Sequence, residues 1–386
     1  MDRFICHLNT EVIFGAGTIE LLGEVAGRYG SNALIAIDPY LKNSELDNEI
    51  DSLLSQNSIE RVPFSGIHPN PICFEVDEGA ELARGRKCDV VIAIGGGSTI
   101  DSAKAIAFLA QNAGKAWDYI EGKVPPPRGA LPLIAVPTTA GTGSEVTLYS
   151  VIANPETKDK RDFAYDFIIP KVALIDPQLM VSMPPDLTAA TGIDALSHSL
   201  ESFISSTATP YSRLVAKESI RLIARYLPEA VANGKNLEAR SRMAWASTLG
   251  GLAILHARTT IPHALGTAAS ALFNVPHGAA IAACLAEVVQ YSFMGNFEVF
   301  AELAEIFDES LKPLPLQTKA EKCGALVERL FQNMNYRVRF GDFGIQEADI
   351  DKLVEWLMKS GYWNDFKTHP RLFTLEDVKK VYTECL

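Results

Sequence analysis

Long apolar runs are missing from this sequence. No stretch of about 18 or more apolar residues occurs, so no membrane span is predicted. The most apolar segment, GAAIAACLAEVV, is short and is interpreted as a buried helix. The start, MDRFICHLNTEVIFG, shows no charged leader followed by an apolar core, which argues against a secretory signal.

Paired cysteines are missing as well, because the cysteines are scattered and none belongs to a C-x-x-C motif. This pattern is typical of free thiols in a reducing compartment and argues against a disulfide framework or a thiolate zinc site. We therefore expect a cytoplasmic protein. The six cysteines are Cys6, Cys73, Cys88, Cys284, Cys323 and Cys385.

Positive charge is in deficit. Lys plus Arg number 35 against 47 Asp plus Glu, a formal net charge of −12. An acidic surface argues against nucleic acid and anionic membranes as partners. The chain has 386 residues, of which 47% are hydrophobic and 21% charged, which suits a globular protein with two domains and a large buried core.

The first half of the chain alternates strand-like and helix-like segments. Short, almost wholly apolar runs of the kind found in buried parallel strands occur at residues 33–38, 89–97, 131–139 and 171–176. Helix-like stretches separate them, which predicts an α/β domain with a parallel sheet. After SMPPDLT only helix patterns remain. We predict an α/β domain over residues 1–184 and an all-helical domain over residues 185–386.

A glycine-rich turn follows one of these strands in DVVIAIGGGSTIDSAKA. Gly96 and Gly97 let a backbone approach a phosphate, and the next helix offers unpaired N–H groups. Ser98 is a candidate cap for that helix, with Asp101 as its capping-box partner. The spacing is not G-x-G-x-x-G, so a tight structural turn is an equal alternative for this motif alone.

A second cluster of glycines and hydroxyls, AVPTTAGTGSEVT, follows the next strand and is denser than a plain loop requires. Loops after parallel strands meet at one sheet edge, where ligands bind in open α/β sheets, so the two clusters together favour a nucleotide or phosphate site. Asp38 ends another strand and could accept hydrogen bonds from a ribose; a turn-starting aspartate before Pro39 is the simpler alternative. The hydroxyl residues are Thr138, Thr139, Thr142 and Ser144.

Asp194 and His198 lie four residues apart in a segment that reads as a helix, so they share one helix face. His263 in HALG and His277 in VPHG could complete a set of ligands. Three imidazoles and one carboxylate suit Fe²⁺ or Zn²⁺. On spacing alone, packed or solvated histidines remain the more frequent case.

The motifs GGGSTIDSAKA, PTTAGTGSEVT, GIDALSHSLES and VPHG, in this order and spacing, strongly resemble the iron-containing (group III) alcohol dehydrogenase family. The resemblance covers essentially the whole chain. It implies a Rossmann-like dinucleotide-binding domain, an all-α domain, a dehydroquinate synthase-like fold, an active site in the cleft between the domains and a homodimer. It implies that Asp194, His198, His263 and His277 bind the metal. It implies contacts with NAD at Asp38, Asn70, Gly97, Ser98, Thr138, Thr139, Thr142, Lys160 and Leu179. Gly96, Asp101 and Ser144, in the same two motifs, are further candidate cofactor-binding residues.

The resemblance also implies reversible hydride transfer between NAD(H) and a small alcohol or its aldehyde or ketone, with Asp38 favouring NAD over NADP. Two departures touch the substrate side: Thr267 replaces the second histidine of an H-x-x-x-H pair found in many relatives, and HARTTIPHALG is atypical. Three alternatives stay open. They are a reductase for a substituted aldehyde of phosphonate or hydroxy-acid type, the chemistry of dehydroquinate synthase-like or glycerol-phosphate dehydrogenase-like proteins, and a non-catalytic metal- or nucleotide-binding relative.

Overall fold

The computed structural model describes residues 3–124 and 127–386 of the chain. The chain divides into two compact units. One is His7–Val181, and the other is Ser182–Leu386 joined by the residues that precede His7. The boundary predicted between residues 184 and 185 falls just after this division.

The N-terminal unit is an α/β layer structure. Its six-stranded sheet has the order β1-β8-β5-β4-β2-β3, and every neighbouring pair is parallel. The strands are β1 (Glu11–Phe14), β2 (Asn32–Ile37), β3 (Glu60–Phe64), β4 (Val90–Gly95), β5 (Leu133–Pro137), β6 (Tyr149–Asn154), β7 (Asp159–Ala164) and β8 (Val172–Ile175). The helices are α1 (Leu22–Gly27), α2 (Glu45–Gln56), α3 (Cys73–Gly85), α4 (Gly97–Gln111) and α5 (Ala116–Ile120).

The sheet is buried on both faces. In β4, Val91 and Ala93 join a core on one side, and Ile92 and Ile94 join a second core on the other side. A strand covered on both faces must be apolar at every position, which is why the central strands appear in the sequence as uninterrupted apolar runs. The predicted parallel sheet and the four predicted central strands are confirmed.

Two strands of the sheet were not predicted. β1 and β3 occupy the two ends of the strand order, and their sequences, EVIF and ERVPF, include charged residues. An edge strand has one neighbour and more solvent around it, so it does not need a continuous apolar run. The charged segment near residue 155 forms a hairpin, in which β6 and β7 pair antiparallel from Tyr149–Ala164 to Asn154–Asp159.

The C-terminal unit is all-helical, and Ser182–Leu386, described throughout, contains no strand. Helices α6, α7 and α8 pack together, α9 packs on α10, and α10 packs on α6. The helices are α6 (Pro185–Ile204), α7 (Pro210–Ala232), α8 (Leu237–Ala257), α9 (Ile261–Phe273), α10 (His277–Ser292), α11 (Phe297–Phe307), α12 (Leu316–Glu321), α13 (Cys323–Asn333), α14 (Ile350–Lys359), α15 (Asp365–Thr368) and α16 (Leu375–Glu384). The predicted two-part fold class is confirmed.

One segment, His277–Gly295, is long and apolar enough by composition to cross a membrane, and half of it is buried inside the fold. It begins with a candidate metal ligand, and Ala280, Cys284 and Val288 belong to the core of the helical unit. These are features of a core helix. All six cysteines are free thiols, and five of them are buried.

Candidate metal centre and cofactor edge

Helix α6 carries the first part of the candidate metal centre. It begins with a proline in its first turn, where the missing N–H costs nothing, and runs for 20 residues. Asp194, His198 and Glu201 follow at intervals of four and three residues, so one face of the helix presents all three. Their side chains are almost wholly buried, with exposed fractions of 4%, 7% and 1%.

Two later helices bring the other predicted ligands to Asp194. His263 is in the first turn of α9, and His277 is the first residue of α10. Asp194 Oδ1 lies 3.5 Å from His263 Nε2, 3.6 Å from His277 Nε2 and 3.9 Å from His198 Nε2. Ligand atoms of Asp194, His263 and His277 all lie within 4.8 Å of one another. The His198 ring stacks on that of His263, with centroids 4.4 Å apart.

This geometry fits a divalent metal ion. Metal–nitrogen and metal–oxygen bonds of about 2.1 Å in a tetrahedral site place ligand atoms about 3.4 Å apart. The measured separations of 3.5, 3.6 and 3.9 Å from Asp194 Oδ1 are close to that value. Asp194 Oδ1 and His263 Nε2 are also buried without any hydrogen bond. Buried polar atoms are rarely left in this way, so a cation between them explains both.

Glu201 was missed in the sequence and orients the centre. Its Oε1 lies 2.5 Å from His263 Nδ1 and accepts a 2.5 Å hydrogen bond from the Ser197 hydroxyl. Its Oε2 accepts from Thr260 N at 2.6 Å. A carboxylate that accepts from Nδ1–H turns Nε2 of a histidine toward a metal. The signal was present as D-x-x-x-H-x-x-E, since the glutamate continues the same helix face.

The charges of the centre support one another. Burial alone would raise the pKa of the Asp194 carboxyl, but His198, His263 and His277 hold that pKa well below its usual range. Burial disfavours a charged His263 ring, yet Glu201 and Asp194 outweigh burial and raise the pKa of His263 to about 10. A cation that binds His263 Nε2 therefore takes the place of a proton.

Residues predicted to contact the cofactor follow neighbouring strands at the carboxyl edge of the sheet. Asp38 comes after β2, Gly96 and Gly97 after β4, Thr138 and its successors after β5, and Leu179 in a short helical turn after β8. Asp38 N donates to Ile94 O at 2.9 Å, and Thr138 N donates to Gly95 O at 3.0 Å. The structure thus brings these segments to one edge, as the topology predicts.

The two glycine-rich loops touch each other. A Cβ on Gly97 would lie 2.4 Å from Thr142 Cγ2, and a Cβ on Gly96 would lie 3.2 Å from Thr139 Oγ1. A Cβ at Gly97 would therefore force the loops apart or shift Thr142, whichever ligand they hold, while the contact at Gly96 is tight but less restrictive.

The capping role expected of Ser98 and Asp101 is wrong. Gly96 is the N-cap of α4, no side chain caps it, and Ser98 lies within the helix. Asp101 instead accepts from the Ser144 hydroxyl at 2.6 Å and from Val151 N at 3.0 Å. Its partners come from distant segments, so a pattern of local spacing could not reveal them.

Asn70 and Lys160 belong to segments other than the loops that follow β2, β4, β5 and β8. Lys160, in β7, is 5% exposed and donates from Nζ to Asn70 Oδ1 at 2.8 Å. Asn70 has a left-handed backbone (φ 59°), which asparagine tolerates. Two predicted cofactor residues 90 positions apart are therefore in contact.

We predict that Glu201→Gln weakens metal binding about 10- to 100-fold, the usual effect of losing a partner behind a metal-bound histidine. Glutamine keeps the shape and one acceptor oxygen, but it loses the negative charge that strengthens the hydrogen bond from His263 Nδ1–H. Competition with a chelator measures the dissociation constant. Glu298→Gln, in the first turn of α11, is the control, and equal affinities for the two variants would contradict the role of Glu201.

We predict that Gly278→Ala weakens metal binding and lowers the melting temperature. The new Cβ would lie 2.6 Å from Ala190 O, a backbone atom of α6, so α10 must move and take His277 with it. Gly361→Ala is the matched control, because a Cβ at Gly361 meets nothing within 4 Å. A chelator titration and thermal unfolding measure both effects, and a Gly278→Ala protein that behaves like Gly361→Ala would refute the close-packing argument.

Comparison with known proteins agrees with the motifs and the geometry. The family model described as "Iron-containing alcohol dehydrogenase" matches residues 9–177, and the one described as "Fe-containing alcohol dehydrogenase family, C-terminal" matches residues 188–386. The 1,3-propanediol dehydrogenase of Klebsiella pneumoniae is 37% identical over 99% of this chain and 98% of its own length. The NAD-dependent methanol dehydrogenase of Bacillus methanolicus is 32% identical over 97% of each chain.

Solved structures extend the likeness to three dimensions. A 1,3-propanediol oxidoreductase superposes with a TM-score of 0.94 at 34% identity over the whole of both chains. The sulfoacetaldehyde reductase of Bifidobacterium kashiwanohense, solved with NAD⁺, superposes with a TM-score of 0.86 at 28% identity, over 100% of this chain and 99% of that one. With both halves matched by family models and with relatives of this identity and coverage, the chain belongs to the iron-containing alcohol dehydrogenase family.

Proposed function

We propose that this alcohol dehydrogenase is a metal-dependent NAD(H) oxidoreductase that interconverts a small alcohol and its aldehyde or ketone. The observation that carries the proposal is the convergence of three imidazoles on Asp194 Oδ1 at 3.5–3.9 Å. Relatives support it by name, since one is an NAD-dependent methanol dehydrogenase and another acts on 1,3-propanediol.

We propose Fe²⁺ or Zn²⁺ as the metal, held by Asp194, His198, His263 and His277. When bound, the metal supplies a Lewis acid for the substrate oxygen and the nicotinamide supplies or accepts the hydride. The protein positions the ligands: Glu201 fixes the His263 ring, and α6 fixes the spacing of Asp194 and His198. Burial of these side chains excludes water from three of the four ligands.

At the carboxyl edge of the sheet we propose that Gly97 and Ser98, at the start of α4, hold the pyrophosphate through backbone N–H groups. Thr138, Thr139 and Thr142 line the nicotinamide side. We propose that Asp38 binds the ribose of the adenosine half. We also propose a homodimer in the cytoplasm, from the family resemblance and the free cysteines.

Thr267 replaces an imidazole with a hydroxyl one turn beyond His263 on α9, and it is 3% exposed. We propose that the proton of the alcohol leaves through water, a ribose hydroxyl of the cofactor or a threonine hydroxyl.

A reductase for an anionic, substituted aldehyde is the second candidate. Arg258 supports it: this exposed cation lies between α8 and α9, five positions before His263, in a backbone conformation with φ 59° and ψ −179°. Such strain in a residue other than glycine is concentrated at functional sites. The sulfoacetaldehyde reductase among the structural relatives supports the same class.

The test is to purify the protein anaerobically, quantify bound metal and follow NADH absorbance with short alcohols, aldehydes and sulfo- or phosphono-aldehydes. We expect metal-dependent turnover, and we expect His263→Ala to lose metal and to lower turnover by more than about a hundredfold, more than loss of an outer partner causes. His256→Ala, on α8 beside Tyr211, is the control. Turnover by a metal-free His263→Ala protein would refute the metal role. A metal-loaded protein inactive on the whole panel would favour a non-catalytic relative.

Asp38 gives a separate prediction about the cofactor. Asp38→Ser should raise the ratio of kcat/KM for NADPH to that for NADH by about tenfold or more, because a carboxylate next to a 2′-phosphate is repulsive. Asp51→Ser, on the exposed face of α2, is the control. An unchanged ratio would show that Asp38 only stabilises the turn in which it accepts a hydrogen bond from Tyr40 N at 3.0 Å.

A further inference from the structure

A lysine with no exposed surface lies on α4, the helix that begins in the first glycine-rich loop. Lys104 is in the second turn of α4, and its side chain is 0% exposed. Its Nζ donates to Ser144 Oγ at 2.7 Å, to Thr147 Oγ1 at 3.1 Å and to Tyr149 O at 2.7 Å. A lysine ammonium has three N–H donors, so all of them are used.

A carboxylate on the same helix forms an ion pair with Lys104. Asp101 Oδ1 lies 4.0 Å from Nζ and also accepts from Ser144 Oγ. Asp101 Oδ2 accepts from Val151 N, and Asp101 O accepts from the Ser150 hydroxyl. A buried ion pair is costly unless its hydrogen bonds are satisfied, and here the partners are distant in sequence. The pair therefore ties α4 to the segment 144–151.

The position of the hydrogen bonds made by Lys104 and Asp101 indicates their role. The helix that carries Lys104 begins at Gly97, in the first glycine-rich loop, and the segment it holds begins at Ser144, the end of the second. Between them, Gly97 touches Thr142 so closely that no Cβ fits. Two interactions thus fix the relative position of the loops. One is the steric contact between Gly97 and Thr142, and the other is the ion pair of Lys104 and Asp101.

We propose that Lys104 and Asp101 are positioning residues that hold the second glycine-rich loop against the first, so that the two loops form one preformed surface for the dinucleotide. The proposal rests on the proposed NAD(H) function and deepens it. It also gives Asp101 and Ser144 a role through Lys104 in place of direct contact with the cofactor. Burial lowers the pKa of Lys104 to about 8 against the opposite effect of Asp101 and Glu145, so the ammonium form persists at neutral pH.

The experiment uses the double variant Asp101→Asn, Lys104→Met in the full chain. It removes both charges of the pair and keeps similar shapes, a change that folded proteins often tolerate, whereas Lys104→Met alone would take away the ammonium that lies 4.0 Å from the Asp101 carboxylate. Arg84→Met is the matched control. Arg84 also braces α4, but at the far end, where it donates to Leu109 O at 2.7 Å.

Two readouts are compared at a temperature well below unfolding: the dissociation constant for NADH and amide hydrogen exchange over residues 138–151. We expect the double variant to bind NADH about tenfold more weakly, because binding must now order the loop. Exchange should be faster over 138–151, and metal content should be unchanged. Arg84→Met should match the wild type in both readouts. A folded double variant with wild-type NADH affinity and exchange overturns the proposal.

A second pair of variants decides the matter if the double variant does not fold. Thr147→Val removes one acceptor of Lys104 while Thr147→Ser keeps it; weaker NADH binding in the first alone supports the proposal, and equal binding in both overturns it. Failure of the proposed function is distinct, because the wild type itself would then not bind NADH. In that case the exchange rates over 138–151 still decide whether Lys104 orders the loop.

Discussion

Buried negative charge is the constraint on which the helical unit depends. Asp194 and Glu201 lie on one face of α6 with exposed fractions of 4% and 1%. A buried carboxylate is costly unless charge and hydrogen bonds compensate it. Here the compensation comes from imidazoles on α6, α9 and α10, so these three helices must meet at one point. The close backbone contact of Gly278 with Ala190 follows from that requirement.

The N-terminal unit treats negative charge differently. The groups proposed to meet a pyrophosphate are backbone N–H donors at the start of α4. Lys104, a cation in the second turn of α4, donates all three of its N–H groups to atoms inside the protein. Backbone N–H donors act only at short range. For the proposed binding of a pyrophosphate, the positions of the two loops therefore matter more than the net charge of the protein. This agrees with a chain whose formal charge is −12.

The sequence predicted what depends on local repetition. Apolar runs located the four central strands, and the four-residue spacing located Asp194 and His198 on one helix face. The edge strands β1 and β3 were not predicted, because their exposure to solvent permits charged residues in them. Asp101 was misjudged because its partners, Ser144 and Val151, are 43 and 50 positions away. Glu201 was within reach, since it extends the face of α6, but its partner His263 is 62 positions away.

The side from which solvent reaches the proposed metal ligands bears on the proton route of the proposed reaction. His277 is 28% exposed, against 8% for His263 and 7% for His198. Thr267 is 3% exposed, so its hydroxyl has little access to solvent. A proton released at the centre must reach solvent for turnover to continue. The exposure of His277 therefore favours water on the α10 side over a buried threonine hydroxyl as the first acceptor.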